Sequence, residues 1–169
     1  MSLVVFSSLK GATPEQKLAE LGIELPPKRQ PVGNYTGAVS TGNLVFVAGH
    51  GSFRGATQTH KGKLGAEISI EEGKDAARIA MVSALTSLKA EIGELSRVTR
   101  IVRVFGMVNC TPDFTRQPEV MDGASDLLTS IFGERGIHAR CAVGYVALPF
   151  GMPIELEMTV EVAPRDREQ

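Results

Sequence analysis

The sequence predicts an α+β sandwich, with two long helices packed on one face of a single sheet. Three observations carry this. The element order reads β-β-(β)-α-β-α-β-β behind a short N-terminal helix. The first long helical segment has a face built of alanine and serine, small enough to lie close against a sheet. The 169 residues suit one domain with one core.

"TPEQKLAELG" opens the helical reading. Thr13 is a candidate N-cap, Pro14 takes the first helical position and Gln16 completes a capping box, with Gly22 as the stop. Leu18 and Leu21 share one face. "ELPPKRQPVG" has three prolines and reads as an extended connection. "NYTGAVSTGNLVFVAGHG" reads as a β-hairpin: Tyr35 to Ser40, a turn at Thr41-Gly42-Asn43, then Leu44 to Ala48. Residues 51 to 68 are rich in Gly, Thr and Lys and read as an exposed loop with room for a short strand.

The clearest helix is "SIEEGKDAARIAMVSALTSLKAEIG". Ser69 and Glu72 make a capping box, and Gly93 ends it. Ala76, Ile79, Ala80, Ser83, Ala84, Ser87 and Leu88 follow i, i+3, i+4 spacing. "RVTRIVRVFGMVN" is a strand from Val98 to Val108, followed by a turn at "CTPDFTRQP". A second helix, "EVMDGASDLLTSIFGERG", buries Val120, Ala124, Leu127, Leu128 and Ile131. "HARCAVGYVALPFGMPIELEMTV" reads as a closing hairpin, and "APRDREQ" as a charged tail with nothing to bury. The domain plan is therefore an N-terminal helix and Pro-rich extension over 1–30, one domain over 31–163, and a tail over 164–169.

Parity in the last strand raises a question. Ile154, Leu156, Met158, Val160 and Val162 point one way, and Glu155, Glu157, Thr159 and Glu161 the other. Arg100 and Arg103, three residues apart, fall on opposite faces of their strand, so one must snorkel or find a carboxylate. Arg140 projects from a strand end, where clefts form. A polar sheet face with apolar interruptions suits either solvent or packing against copies of the same chain.

Several function classes lose support. The net charge is −1 and the pI about 6.3, no electrostatic footprint for a phosphate backbone. "GHGSFRG" departs from a dinucleotide fingerprint by one place and opens no helix. His50, His60 and His138 have no i, i+4 partner and read as polar loop histidines rather than metal ligands. No G-x-S-x-G elbow is present. Cys110 and Cys141 lack C-x-x-C spacing and suit a reducing cytoplasm; Cys141, opposite Arg140 by parity, reads as a small core residue. No run reaches the roughly 20 apolar residues of a membrane span, and the start has no signal-peptide pattern. The expectation is a cytoplasmic protein.

"PVGNYTGAVSTGNLVFVAGHG", "SLKAEIGELSRVTRIVRV" and "HARCAVGYVALPFGMPIELE" together resemble the YjgF/RidA family of small reactive-imine deaminases, over about residues 30 to 162. The most specific element is "AR" at a strand start, a small-residue strand, "LP", a turn and "IELE". The resemblance implies a chorismate-mutase-like fold and a homotrimer whose sheets form a central barrel with clefts between subunits. It implies cofactor-free hydrolysis of 2-imino or enamino acids to 2-keto acids and ammonia.

Residue by residue, the family's substrate-binding arginine matches Arg140, a bidentate clamp for a carboxylate. The water-holding glutamate matches Glu155. The "P-Y" tyrosine matches Tyr35, and the glycine after the second strand matches Gly49, whose backbone approaches the ligand. These four would converge in one cleft. The family's asparagine at the start of the last helix corresponds to Asp122 once an insertion is allowed. A carboxylate there repels an anion unless it is paired or protonated. The family's cysteine two places after the arginine is Ala142 here. These departures mark a divergent branch, and they leave a second reading: a non-catalytic trimer that binds small carboxylates through Arg140.

Overall fold

A computed structural model describes residues 11–28, 30, 31 and 33–164. The reading of residues 1–10 and most of the charged tail lies outside them. Three helices, α1 (Pro14–Glu20), α2 (Ile70–Ile92) and α3 (Gln117–Phe132), accompany a five-stranded sheet. The sheet is built from β1 (Ala38–Thr41), β2 (Leu44–Gly51), β5 (Val98–Asn109), β6 (Ala139–Tyr145) and β7 (Ile154–Val162). Two short strands, β3 (Phe53–Arg54) and β4 (Thr57–Gln58), pair as a separate hairpin within the segment read as a loop.

The helix starts follow from local chemistry. Thr13 and Ser69 each close a full capping box, with Gln16 and Glu72 respectively. Gly93, at φ 90°, ends α2 where a side chain would be strained. Ala76, Ala77, Ala80 and Ala84 of α2 are buried, as are Val120, Ala124, Leu127, Leu128 and Ile131 of α3. Both helices lie on the same sheet face, over Val45, Val47, Val104, Leu156, Met158 and Val160. α1 is docked rather than loose: Leu18 joins this core, and the Glu15 carboxylate accepts from the Leu95 amide at 2.7 Å.

The β1–β2 hairpin forms, but its first strand starts at Ala38. Ahead of it the Tyr35 amide bonds back to Gly33 and breaks the extended run. Gly42 at φ 57° serves the tight turn, since Thr41 pairs directly with Leu44.

The closing hairpin does not form. The sheet order is β1-β2-β7-β5-β6, so β6 and β7 are separated by β5. β6 runs parallel to β5 at the edge, joined to it through α3, while β7 threads antiparallel between β2 and β5. The centre suits β7 because its alternation is unbroken: Ile154, Leu156, Met158, Val160 and Val162 are all buried against the helices.

The arginine conflict in β5 is resolved by backbone, not by snorkelling. Register shifts against β7 fall between Val98 and Arg100 and again between Ile101 and Arg103. Each inserts one residue, so Val98, Ile101 and Val104 are buried while Arg100 and Arg103 both reach solvent. Arg103 lies 3.7 Å from Glu157 and covers the Phe105 ring at 5.1 Å.

Gly123 of α3 sits where the two long helices meet. A Cβ there would lie 2.1 Å from the Lys74 carbonyl oxygen of α2, a backbone atom with no rotamer to yield. Gly123→Ala is expected to push the helices apart and lower stability by about 1–3 kcal/mol, measured as a lower urea midpoint. An unchanged midpoint would show that the helix crossing is not this tight.

Candidate functional site

A cavity of about 270 Å³ opens at the end of the sheet where β2 meets β7. Tyr35, Gly49 and Glu155 line it together with Phe53, Phe150 and Met152, and α2 contributes Ser83, Thr86 and Ser87. Its geometry begins with β2. Val47 pairs with Met158 but His50 with Leu156, so β2 carries one extra residue over this span. Such a bulge resets side-chain parity. It turns His50 toward α2 and brings Gly49 beside Glu155.

Gly49 makes a close contact, though with a different neighbour from the one the resemblance implies. A Cβ at Gly49 would sit 2.3 Å from Glu155 Oε1, so the carboxylate rests directly against this glycine's backbone. Glu155 is partly buried, and its pKa lies above the ordinary carboxylate range. Loss of solvent is the main cause and the charge of Glu157 on the same strand adds to it. A partly buried carboxylate beside a cavity is a group that can accept a proton from a bound water.

His50 is the residue that the sequence reading passed over as a polar loop histidine. It lies within β2. Its Nδ1 is 2.6 Å from the Ala48 carbonyl, which can only accept, so Nδ1 carries the proton. Nε2, at 2.7 Å, then accepts from the Ser87 hydroxyl when the ring is neutral. The pair ties the bulge to α2. The signal available in sequence was Ser87 on the packed face of α2, but nothing local said which strand residue it would meet.

Arg140 and Asp122 lie elsewhere. Arg140 pairs in register with the buried Val104, which turns it to the helix side, whereas Glu155 pairs with Met107 on the open side. Arg140 Nη1 donates to Asp122 Oδ1 at 2.8 Å and to Ser125 Oγ at 3.0 Å. His138 Nδ1 donates to the Gly136 carbonyl at 2.7 Å, so its Nε2 accepts from Ser125 at 3.1 Å in the neutral ring. The expected convergence of four residues is therefore not met within one chain: Tyr35, Gly49 and Glu155 share the cavity, and Arg140 is two strands away on the opposite face. Asp122 is paired, which answers the repulsion expected of it. Cys141, opposite Arg140 as parity requires, lies partly exposed on the open face rather than in the core; Ala142 faces the core instead.

Among the described residues, no group of three or more His, Cys, Asp or Glu side chains is arranged to hold a metal ion. None of the described helices is long and apolar enough to cross a membrane.

A mixed sheet ordered β1-β2-β7-β5-β6 under two helices, with a cavity at the β2–β7 end, defines a chorismate-mutase-like α+β protein. The family described as "YjgF/chorismate_mutase-like, putative endoribonuclease" matches residues 15–156. The chain is 41% identical over 146 residues to Protein TCP17 of Trypanosoma cruzi, covering 86% of this chain and 91% of that one. Two crystal structures are each 34% identical and each align with 89% of this chain. One is a protein of unknown function from Agrobacterium tumefaciens, with TM-score 0.82 over 92% of its length. The other, described as a "putative endoribonuclease" from Shewanella oneidensis, has TM-score 0.86 over its full length. The chain belongs to the YjgF/RidA family.

Two expectations follow from Glu155. Its folded-state pKa is raised, so the folded protein binds its proton more tightly than the unfolded chain does, and this contribution to stability is lost as pH rises from the ordinary carboxylate value through the raised one. Glu155→Gln should therefore melt higher than wild type at neutral pH, with the gap closing in acid. A melting-temperature series against pH checks this, and a lower neutral-pH value for the variant would contradict the buried-carboxylate picture. Gly49→Ala meets only the movable end of Glu155, so it should change the melting temperature little while displacing the carboxylate. The pH titration of Glu155 followed by carboxyl-resolved NMR should then move back toward the ordinary range.

Proposed function

We propose that this protein hydrolyses 2-imino or enamino acids to 2-keto acids and ammonia, as a homotrimer whose sites lie between subunits. The observation that carries this reading is the Glu155 carboxyl, raised in pKa and seated against Gly49 in a cavity walled by Tyr35. In this reading Glu155 holds a water and accepts its proton as the oxygen adds to the imine carbon. It returns that proton to nitrogen, which gives an amino-alcohol; the hydroxyl proton then passes to nitrogen as the C=O bond forms, the C–N bond breaks and ammonia leaves. Tyr35 hydrogen-bonds the substrate from the wall. Arg140 clamps the carboxylate; both of its contacts within the chain use Nη1, and a guanidinium fork has further donors for a bidentate anion.

One chain separates Arg140 from Glu155, so the clamp must come from a neighbouring copy. The open sheet face supports self-association. Val39, Phe46 and Val102 stand exposed there, on the same face as the ion-paired Arg103 and Glu157. The second reading, a binding protein for small carboxylates, uses the same guanidinium, and in both readings a ligand shares Arg140 with the internal Asp122 anion. The endoribonuclease wording attached to relatives describes those proteins; a net charge of −1 gives no support for it here.

The test is a coupled assay in which an amino-acid oxidase generates an imino acid and semicarbazide competes for it. Wild type should accelerate keto-acid release. Glu155→Gln should lose at least about 100-fold, the usual contribution of a positioned acid–base group, and Arg140→Ala should lose turnover through weakened carboxylate binding. Mixing the two variants, unfolded and reassembled together, should restore activity at about one quarter of the sites by random assortment in a cyclic trimer. No recovery would place Arg140 and Glu155 in separate roles. Retained keto-acid binding without turnover would favour the binding protein.

A further inference from the structure

The cavity carries an aromatic wall that the hydrolysis of a small imine does not require. Phe150 stands at φ 59°, ψ 9°, the sole non-glycine at positive φ among the described residues, and Gly151 follows at φ 67°. Two successive left-handed residues are the centre of a tight turn that ordinarily takes Asn-Gly or Gly-Gly. A phenylalanine there is strained, and the residue is 62% exposed, so neither backbone preference nor burial accounts for it.

What the ring does is meet Phe53 edge to face, with centroids 6.3 Å apart and planes at 89°. Both rings line the cavity that holds Tyr35 and Glu155. The wall is fixed from several sides. Gln58 Nε2 donates to the Phe150 carbonyl at 3.3 Å, and the Gly62 amide to the Gly151 carbonyl at 2.9 Å. Ser83 of α2 donates to the Phe53 carbonyl at 3.0 Å. Size agrees with chemistry: a cavity of roughly 150 Å³ accommodates benzene, and this one is about 270 Å³. A pyruvate-sized ligand would leave much of it unfilled, whereas a phenyl ring on a three-carbon oxo or imino acid would fill it.

From these observations we infer that the site selects ligands with an aromatic side chain, and that Phe53 and Phe150 are the specificity-determining pair. The charged end of such a ligand rests on the carboxylate reading above; the aromatic end does not. Affinities of phenylpyruvate, pyruvate and the uncharged 2-phenylethanol are measured by calorimetry on wild type and Phe150→Asn. Asparagine accepts the left-handed conformation, so the variant should melt at or above the wild-type temperature. Phenylpyruvate should bind wild type about tenfold or more tightly than pyruvate, and Phe150→Asn should lose about threefold to tenfold of that margin.

Equal affinity for the two acids would overturn the inference. So would a Phe150→Asn protein that keeps the margin but changes its sedimentation, because the ring would then be a contact between copies. If neither acid binds but 2-phenylethanol binds wild type and not the variant, the aromatic wall stands and the carboxylate reading fails. If 2-phenylethanol and phenylpyruvate both fail to bind wild type, the inference falls.

Discussion

One-sided burial of the central strand is the constraint on which the molecule depends. β7 has neighbours on both edges and helices on only one face. Its even residues, Ile154 to Val162, must be apolar and its odd residues are free to be anything the open face tolerates. Each buried aliphatic side chain of this kind contributes about 1.5–3 kcal/mol, so a one-residue slip would forfeit the whole set. That register lock also fixes where Glu155 stands, opposite Gly51 on one side and Met107 on the other.

The open face and the bulges follow from the same constraint. A strict two-residue alternation in β5 would drive one of Arg100 and Arg103 into the core. Two inserted residues remove the conflict at the cost of two interruptions in the hydrogen-bond ladder. β2 uses the same device near its C-terminal end, with the opposite result: parity is reset so that a polar residue turns inward. His50 is accommodated because Ala48 and Ser87 satisfy both ring nitrogens. Bulges thus keep arginines out of the core in one strand and build the floor of the cavity in another.

The cavity's rim is held by groups remote from any chemistry. Asn109 is buried at the end of β5, where its side-chain amide donates to the Met152 carbonyl at 3.2 Å and its oxygen accepts from Lys63 Nζ at 2.8 Å. Lys63 also donates to the Val146 carbonyl. These bonds bring two loops to the end of β5, one of them carrying the turn that presents Phe150. The separation of Arg140 from Glu155 gives the open face its meaning in the proposed reading, because apolar side chains exposed on that face would be covered by the copies that complete the site.

α3 starts at Gln117 inside the segment read as a turn, with no side-chain cap, whereas the starts of α1 and α2, the α2 face and the buried parity of β7 were legible in the sequence. Each is set by neighbours within four residues: Ser69 with Glu72, alanines at helical spacing, aliphatics at every second place. The family resemblance was legible too, in the three segments 31–51, 87–104 and 138–157. Tertiary structure decided what depends on residues far apart in the chain. Strand order placed β7 between β2 and β5 and dissolved the apparent hairpin, since backbone pairing partners are chosen by packing rather than by proximity in sequence. Bulges shifted parity in ways no residue type announces, so His50, Arg100 and Arg103 ended on faces that counting by twos did not give. The two halves of the candidate site were assigned to opposite faces of the sheet, because side-chain direction is fixed by register, and register exists only once the strands have met.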